Sequence, residues 1–148
     1  MKKIFTLILL TLTLLSCSKN NDGGSKKQEP VLSYDLIEEK CIEWDKIFLQ
    51  DEDDYLVYFF RETCGHCNAI KPDVLSYYLL EKEVMYFIKN PNNPEYFSKT
   101  MENLRGINDI SNFKIYGVPL LLEMLNGEVL NYHYGEKQIL DYLSVQQK

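Results

Sequence analysis

The tetrad Cys64-Gly65-His66-Cys67 comes four residues after an unbroken apolar run, Tyr55-Leu56-Val57-Tyr58-Phe59-Phe60. A run of that length and composition reads as a central strand covered on both faces. Thr63 is placed to cap a helix that starts at Cys64 and reaches about Leu80. A strand feeding a helix limits what can follow. The next apolar segment, Val84 to Ile88, returns as a parallel strand through a right-handed crossover. With 148 residues there is room for one domain and one core, and a 45% hydrophobic content is enough to fill it.

The other segments fall around this unit. Ser33 can cap a helix with Asp35 in its first turn. Tyr34, Ile37, Cys41, Trp44 and Phe48 recur at three- and four-residue steps and predict one apolar stripe, ending at the acidic cluster Asp51 to Asp54. After the Pro-Asn-Asn-Pro loop, a helix is expected from about Glu95 to Leu104 and a short one from Ile110 to Ile115. Leu120 to Leu125 and Val129 to Tyr134 read as strands joined by Asn126-Gly127, a hairpin signal that adds an antiparallel edge. Glu136 to Val145 closes the chain as a helix with Ile139, Leu140 and Leu143 inward. The fold class expected is α/β, a central mixed β-sheet flanked by helices.

Two cysteines separated by two residues at the start of a helix can close a small disulfide ring. The free N–H groups and the positive end of the helix dipole stabilise a thiolate there. Cys64, at the exposed end, is the expected nucleophile. Cys67, one turn in, is the expected resolving thiol. His66 between them adds a donor for the Cys64 thiolate and, by stabilising the reduced form, makes the disulfide a better oxidant. The same spacing also serves zinc and static disulfides. A structural zinc site needs four ligands. There is no second such pair, Cys41 lies on the first helix stripe and His133 on a distant strand, so no metal is assigned. A ring this short gains little chain entropy on closure, which weighs against a purely stabilising disulfide.

Residues 1–17, MKKIFTLILLTLTLLSC, have the layout of a secretory signal: two lysines, a short apolar run from Ile4 to Leu15, a small residue at the cut. Leu14-Leu15-Ser16-Cys17 resembles the lipobox of bacterial lipoproteins. The resemblance implies that Cys17 is acylated and becomes the mature N-terminus, held outside the cytoplasm by several acyl chains. Residues 18–32 are polar and Gly-containing and read as a flexible tether of roughly 20 Å, leaving 33–148 as the domain. Loss of Lys2 and Lys3 with the signal leaves 14 basic against 22 acidic residues, a charge of −8 in place of −6. Such a chain repels phosphate backbones, so nucleic acid is not an expected partner.

From Ser33 to Val145 the landmarks resemble the thioredoxin superfamily, and Gly65-His66 is similar to the dipeptide of protein disulfide isomerases. Pro72 follows Cys64 by eight positions, as the helix-kinking proline does in that family. Tyr116-Gly117-Val118-Pro119-Leu120 is similar to the segment holding its cis-proline, Asn126-Gly127-Glu128-Val129 to its hairpin, and Tyr134-Gly135 to the approach to its last helix. The resemblance implies a thioredoxin-like fold and a cis Val118–Pro119 bond beside the disulfide. It implies that the Val118 backbone pairs with bound substrate, and that no cofactor is needed. Two positions depart from the family pattern. Tyr58 stands where a buried acid is usual, and Thr63 where an aromatic residue is usual; Glu62, nearby, is expected to be exposed.

The expected activity is thiol–disulfide oxidoreduction outside the cytoplasm, on protein thiols and disulfides or with a membrane electron-transfer protein. Two other functions are kept open. One is a non-enzymatic binding module with permanently oxidised cysteines, which Tyr58 favours; the other is a thiol-based metal chaperone. Cys41 is expected to pack as a small apolar residue, His133 to be a half-exposed strand residue, and Asp51 to Asp54 to be a solvated helix end.

Overall fold

A computed structural model describes residues 32–146. The expected signal segment, Cys17 and all of the tether except Leu32 lie outside the described residues. Four strands form one sheet: β1 (Asp54–Phe60), β2 (Met85–Lys89), β3 (Leu120–Leu125) and β4 (Glu128–Tyr134). Among the described residues two α-helices, α1 (Gly65–Tyr78) and α2 (Gly135–Gln146), and four short 3-10 turns make up the rest of the regular structure. The sheet order is β2-β1-β3-β4, with β1 and β2 parallel and the other pairs antiparallel. The fold class is the one expected.

β1 explains the two-sided core. Every residue from Tyr55 to Phe60 is buried, and successive side chains point to opposite faces. Leu56, Tyr58 and Phe60 join Ile70, Val74 and Leu75 of α1 and Ile139 and Leu143 of α2. Tyr55, Val57 and Phe59 join Trp44, Ile47, Phe113 and Ile115 on the other face, where 3-10 turns and loops cover the sheet. Asn126 (φ 50°) and Gly127 (φ 73°) make the hairpin turn in the left-handed conformations that such a turn demands.

Three expected helices are replaced by 3-10 turns. The stripe from Tyr34 to Phe48 is split into 3-10 turns at Tyr34–Lys40 and Trp44–Lys46. Between them Cys41 bridges Phe87 of β2, and the Ile42 N–H donates to the Phe87 carbonyl at 2.9 Å. The open edge of β2 supplies these bonds, so the chain leaves the helix and wraps round the sheet. Tyr34 and Ile37 therefore enter one core and Trp44 the other. Asp51 to Asp54 is then a bend entering β1, not the end of a helix. The helix expected at Glu95 to Leu104 is reduced to a turn at Pro94–Tyr96. Phe97 bridges Ile115 instead, with Ser98 donating to the Ile115 carbonyl at 2.8 Å and Tyr96 stacked on Trp44 at 4.0 Å. The short helix expected at 110–115 is a single turn, Ile110–Asn112.

Candidate functional site

β1 delivers the chain to the tetrad, and a network of bonds holds the turn that follows. Arg61 donates twice to the Pro91 carbonyl, at 3.0 and 2.8 Å, with its guanidinium over the Phe97 ring. Asn90 receives the Glu62 N–H at 2.9 Å and donates to its carboxylate at 2.9 Å; Asn68 donates to the Glu62 carbonyl at 2.8 Å. Glu62 is exposed, as expected, and the Asn90 bond holds its carboxyl below the usual range.

The helix cap is Cys64 itself and not Thr63. Its backbone is extended (φ −82°, ψ 119°), and its sulfur accepts the Cys67 N–H at 3.2 Å. A thiol therefore sits on the N-terminus of α1 with a helix donor aimed at it. Cys64 is half-buried and Cys67 fully buried, and both are free thiols. Burial pushes the Cys67 thiol up, and the neighbouring Cys64 sulfur adds to the effect. Gly65 has open space around its Cα. His66 points outward, its side chain 78% exposed, with Nδ1 2.5 Å from Glu136 Oε1 at the start of α2.

β1 and β3 run antiparallel with Phe59 opposite Leu120, so the loop entering β3 arrives beside the start of α1. There the Cys64 thiol donates to the Val118 carbonyl at 3.9 Å, and the Val118–Pro119 bond is cis. Gly135 N–H donates to the Pro119 carbonyl at 3.0 Å. Tyr134 lies under this loop, its ring 5.9 Å from that of half-exposed Tyr116. Its phenol is pushed up to about 12, by burial first and then by Tyr116, Cys64 and Cys67. Cys64, Cys67, Val118 and Pro119 are thus brought together.

A strand–helix–strand crossover, an antiparallel hairpin and a helix follow one another in that order, with a cysteine cap facing a cis-proline loop. The domain has the thioredoxin-like fold.

No family model matches the chain. A protein disulfide-isomerase of Schizosaccharomyces pombe is 35% identical over 49 residues, 33% of this chain and 14% of that protein. Protein disulfide isomerase-like 2-3 of Oryza sativa subsp. japonica is 34% identical over 58 residues, 39% of this chain and 12% of that protein. The chain thus matches only a small part of the length of these relatives. Among solved structures, thioredoxin f2 of Chlamydomonas reinhardtii aligns with a TM-score of 0.48 at 17% identity, over 72% of this chain and 93% of that one. Spinach chloroplast thioredoxin f (long form) gives 0.49 at 15% identity, over 74% and 86%.

Asn68 and Asn90 were not singled out from the sequence, and Tyr134 and Glu136 entered only as landmarks at the start of the last helix, with no role at the site. Asn90 alone has a local signal, an asparagine next to the Pro-Asn-Asn-Pro loop, a residue type that tolerates the φ of 50° found there. Tyr58 is fully buried in the cluster with Cys67. Cys41 is half-buried at the β2 edge with its thiol pushed up by burial. His133 is held by Glu123 at 2.6 Å. Among the described residues no three His, Cys, Asp or Glu side chains are grouped to hold a metal ion.

Proposed function

We propose that this protein is a thiol–disulfide oxidoreductase working through Cys64 and Cys67. The observation that carries the reading is the pairing of a half-buried Cys64 on a helix N-terminus with a fully buried Cys67 one turn in. The Cys64 sulfur attacks a substrate disulfide, forming a mixed disulfide and releasing one substrate thiolate. The Cys67 sulfur then attacks Cys64 Sγ and releases the second. The Val118 backbone beside Cys64 offers the substrate a strand-like partner next to Pro119, and Gly65, with open space about it, leaves the approach to Cys64 clear. The matched stretches of the two isomerase relatives support the same chemistry.

The lipobox-like Cys17 supports an extracytoplasmic enzyme on a bacterial membrane. Its partners would be secreted or anchored proteins bearing thiols and disulfides, or a membrane electron-transfer protein. His66 favours the oxidising or isomerising end of the range. The binding-module reading draws on one observation, the buried phenol of Tyr58 behind the pair.

The test is equilibration in glutathione buffers of graded poise, with free thiols trapped and counted. The expected result is a reversible pair with a potential near that of protein disulfide isomerase, about −180 mV. A value near about −270 mV would make it a reductase. A pair that never exchanges would overturn the enzyme and leave the module. Globomycin-sensitive processing and acylation of Cys17 tests the anchor.

A further inference from the structure

Four tyrosines are buried among the described residues. Two have partners: Tyr55 donates to the Ile47 carbonyl at 2.8 Å and Tyr77 donates to Glu83, as does part-buried Tyr86 to Glu52 at 2.7 Å. Two do not. The hydroxyl oxygens of Tyr34 and Tyr58 are buried without a hydrogen-bond partner among the described residues. Unpartnered buried hydroxyls are costly and uncommon, so two together call for a reason.

Both belong to one place. Tyr34 and Tyr58 share a buried cluster with Cys67, and both rings pack on Phe60, at 4.1 and 5.8 Å. Burial pushes both phenols far above their usual range, and Cys67 is the first charge that adds to the effect in each. They are therefore neutral donors. The other titratable groups of this cluster are Cys64, Cys41, Tyr77, Tyr78 and Tyr142, with Glu83 bonded to Tyr77 and Tyr142; Glu62 bears on Tyr34, and Lys71 Nζ lies 4.9 Å over the Tyr34 ring. No charged residue is buried among the described residues. A thiolate forming at Cys67 thus has two unpartnered phenols in its own cluster.

We propose that Tyr34 and Tyr58 donate hydrogen bonds to the Cys67 sulfur as it ionises, and so promote the resolving step. The proposal rests on the redox reading of Cys64 and Cys67. In that step Cys67 loses its proton and a Cys67 Sγ–Cys64 Sγ bond forms. The bond from Cys64 Sγ to the substrate sulfur breaks, and that sulfur leaves with the electron pair and takes up a proton. The two cysteines are oxidised and the substrate disulfide is reduced. Hydrogen bonds to the charged form lower the cost of making it in a buried site.

The test uses the full chain carrying Cys17→Ser and Cys41→Ser, reduced and mixed with an aryl disulfide that releases thionitrobenzoate. The first release reports attack by Cys64. The second reports closure of the Cys64–Cys67 disulfide. Tyr58→Phe and Tyr34→Phe are each expected to slow the second release about tenfold, to move its pH profile upward, and to leave the first unchanged. If both releases are unchanged, or both slow equally, the hydroxyls have no role at Cys67 and the proposal fails. Both variants keep the ring and its packing, and denaturant unfolding confirms that each is folded. The reagent oxidises any close dithiol, so this readout survives even if the glutathione experiment overturns the physiological exchange.

Discussion

Gly117 lies against the phenol of Tyr134: a Cβ at 117 would sit 2.5 Å from the Tyr134 hydroxyl oxygen and 3.8 Å from its ring carbon Cζ. The loop that brings Val118 to Cys64 is therefore seated on the tyrosine that ends β4. Gly117→Ala is expected to shift either the loop or the ring, costing about 1–3 kcal/mol and slowing glutathione exchange. Tyr134→Phe removes the atom at 2.5 Å and leaves an ordinary contact. The double variant should recover most of both losses, and a failure to recover would show that Tyr134 is not what excludes the side chain.

Cys67 ties stability to pH and redox state. Burial raises its folded-state pKa, so on raising pH the unfolded chain ionises first and binds fewer protons than the native one. The stabilising effect is whole below the unfolded thiol pKa of about 8.5 and is lost above it, at up to about 1.4 kcal/mol per pH unit. Reduced protein should thus lose stability from about pH 8.5, with the disulfide form, in which Cys67 cannot ionise, less affected. The buried tyrosines, raised in the same direction, destabilise both forms above about pH 10. Denaturant unfolding of both forms across pH measures the difference, which cancels the contribution of Cys41.

Asn90 is predicted to hold the turn before Cys64 in two separable ways. Its side chain bonds both the N–H and the carboxylate of Glu62, and its backbone adopts φ 50°. Asn90→Gly loses only the bonds and should cost about 1 kcal/mol. Asn90→Ala also forces a side chain into the left-handed region and should cost about 1 kcal/mol more. Equal losses for the two would mean that the backbone conformation adds nothing.

His66 and Glu136 join the first turns of α1 and α2 across an exposed surface. Glu136→Gln is expected to lower stability by less than about 1 kcal/mol, with the loss shrinking in high salt. His66→Ala should make the pair less oxidising, by roughly 30 mV for a tenfold change in equilibrium. A potential unchanged by the substitution would remove His66 from the redox tuning.

What was legible in the sequence was local. The apolar run of β1, the helix after Cys64, the Asn126-Gly127 turn and the closing helix each depend on neighbours a few residues away, and each appears close to its expected bounds. Cys64, Cys67, Val118 and Pro119 could be named for a related reason: a motif of adjacent residues carries them, and strand order then brings the two motifs together. The tertiary structure decided what depends on distant partners. The Tyr34 to Phe48 stripe has helical spacing, yet the open edge of β2 claims the Cys41–Ile42 backbone and divides the stripe between two cores. Phe97 leaves its expected helix because Ile115 offers it a strand-like partner. The seat of Gly117 on Tyr134, the Glu136 partner of His66 and the two phenols behind Cys67 have no signal in sequence spacing. Contacts between segments tens of residues apart exist only once the sheet register is set, and that register is chosen by the burial of the whole core.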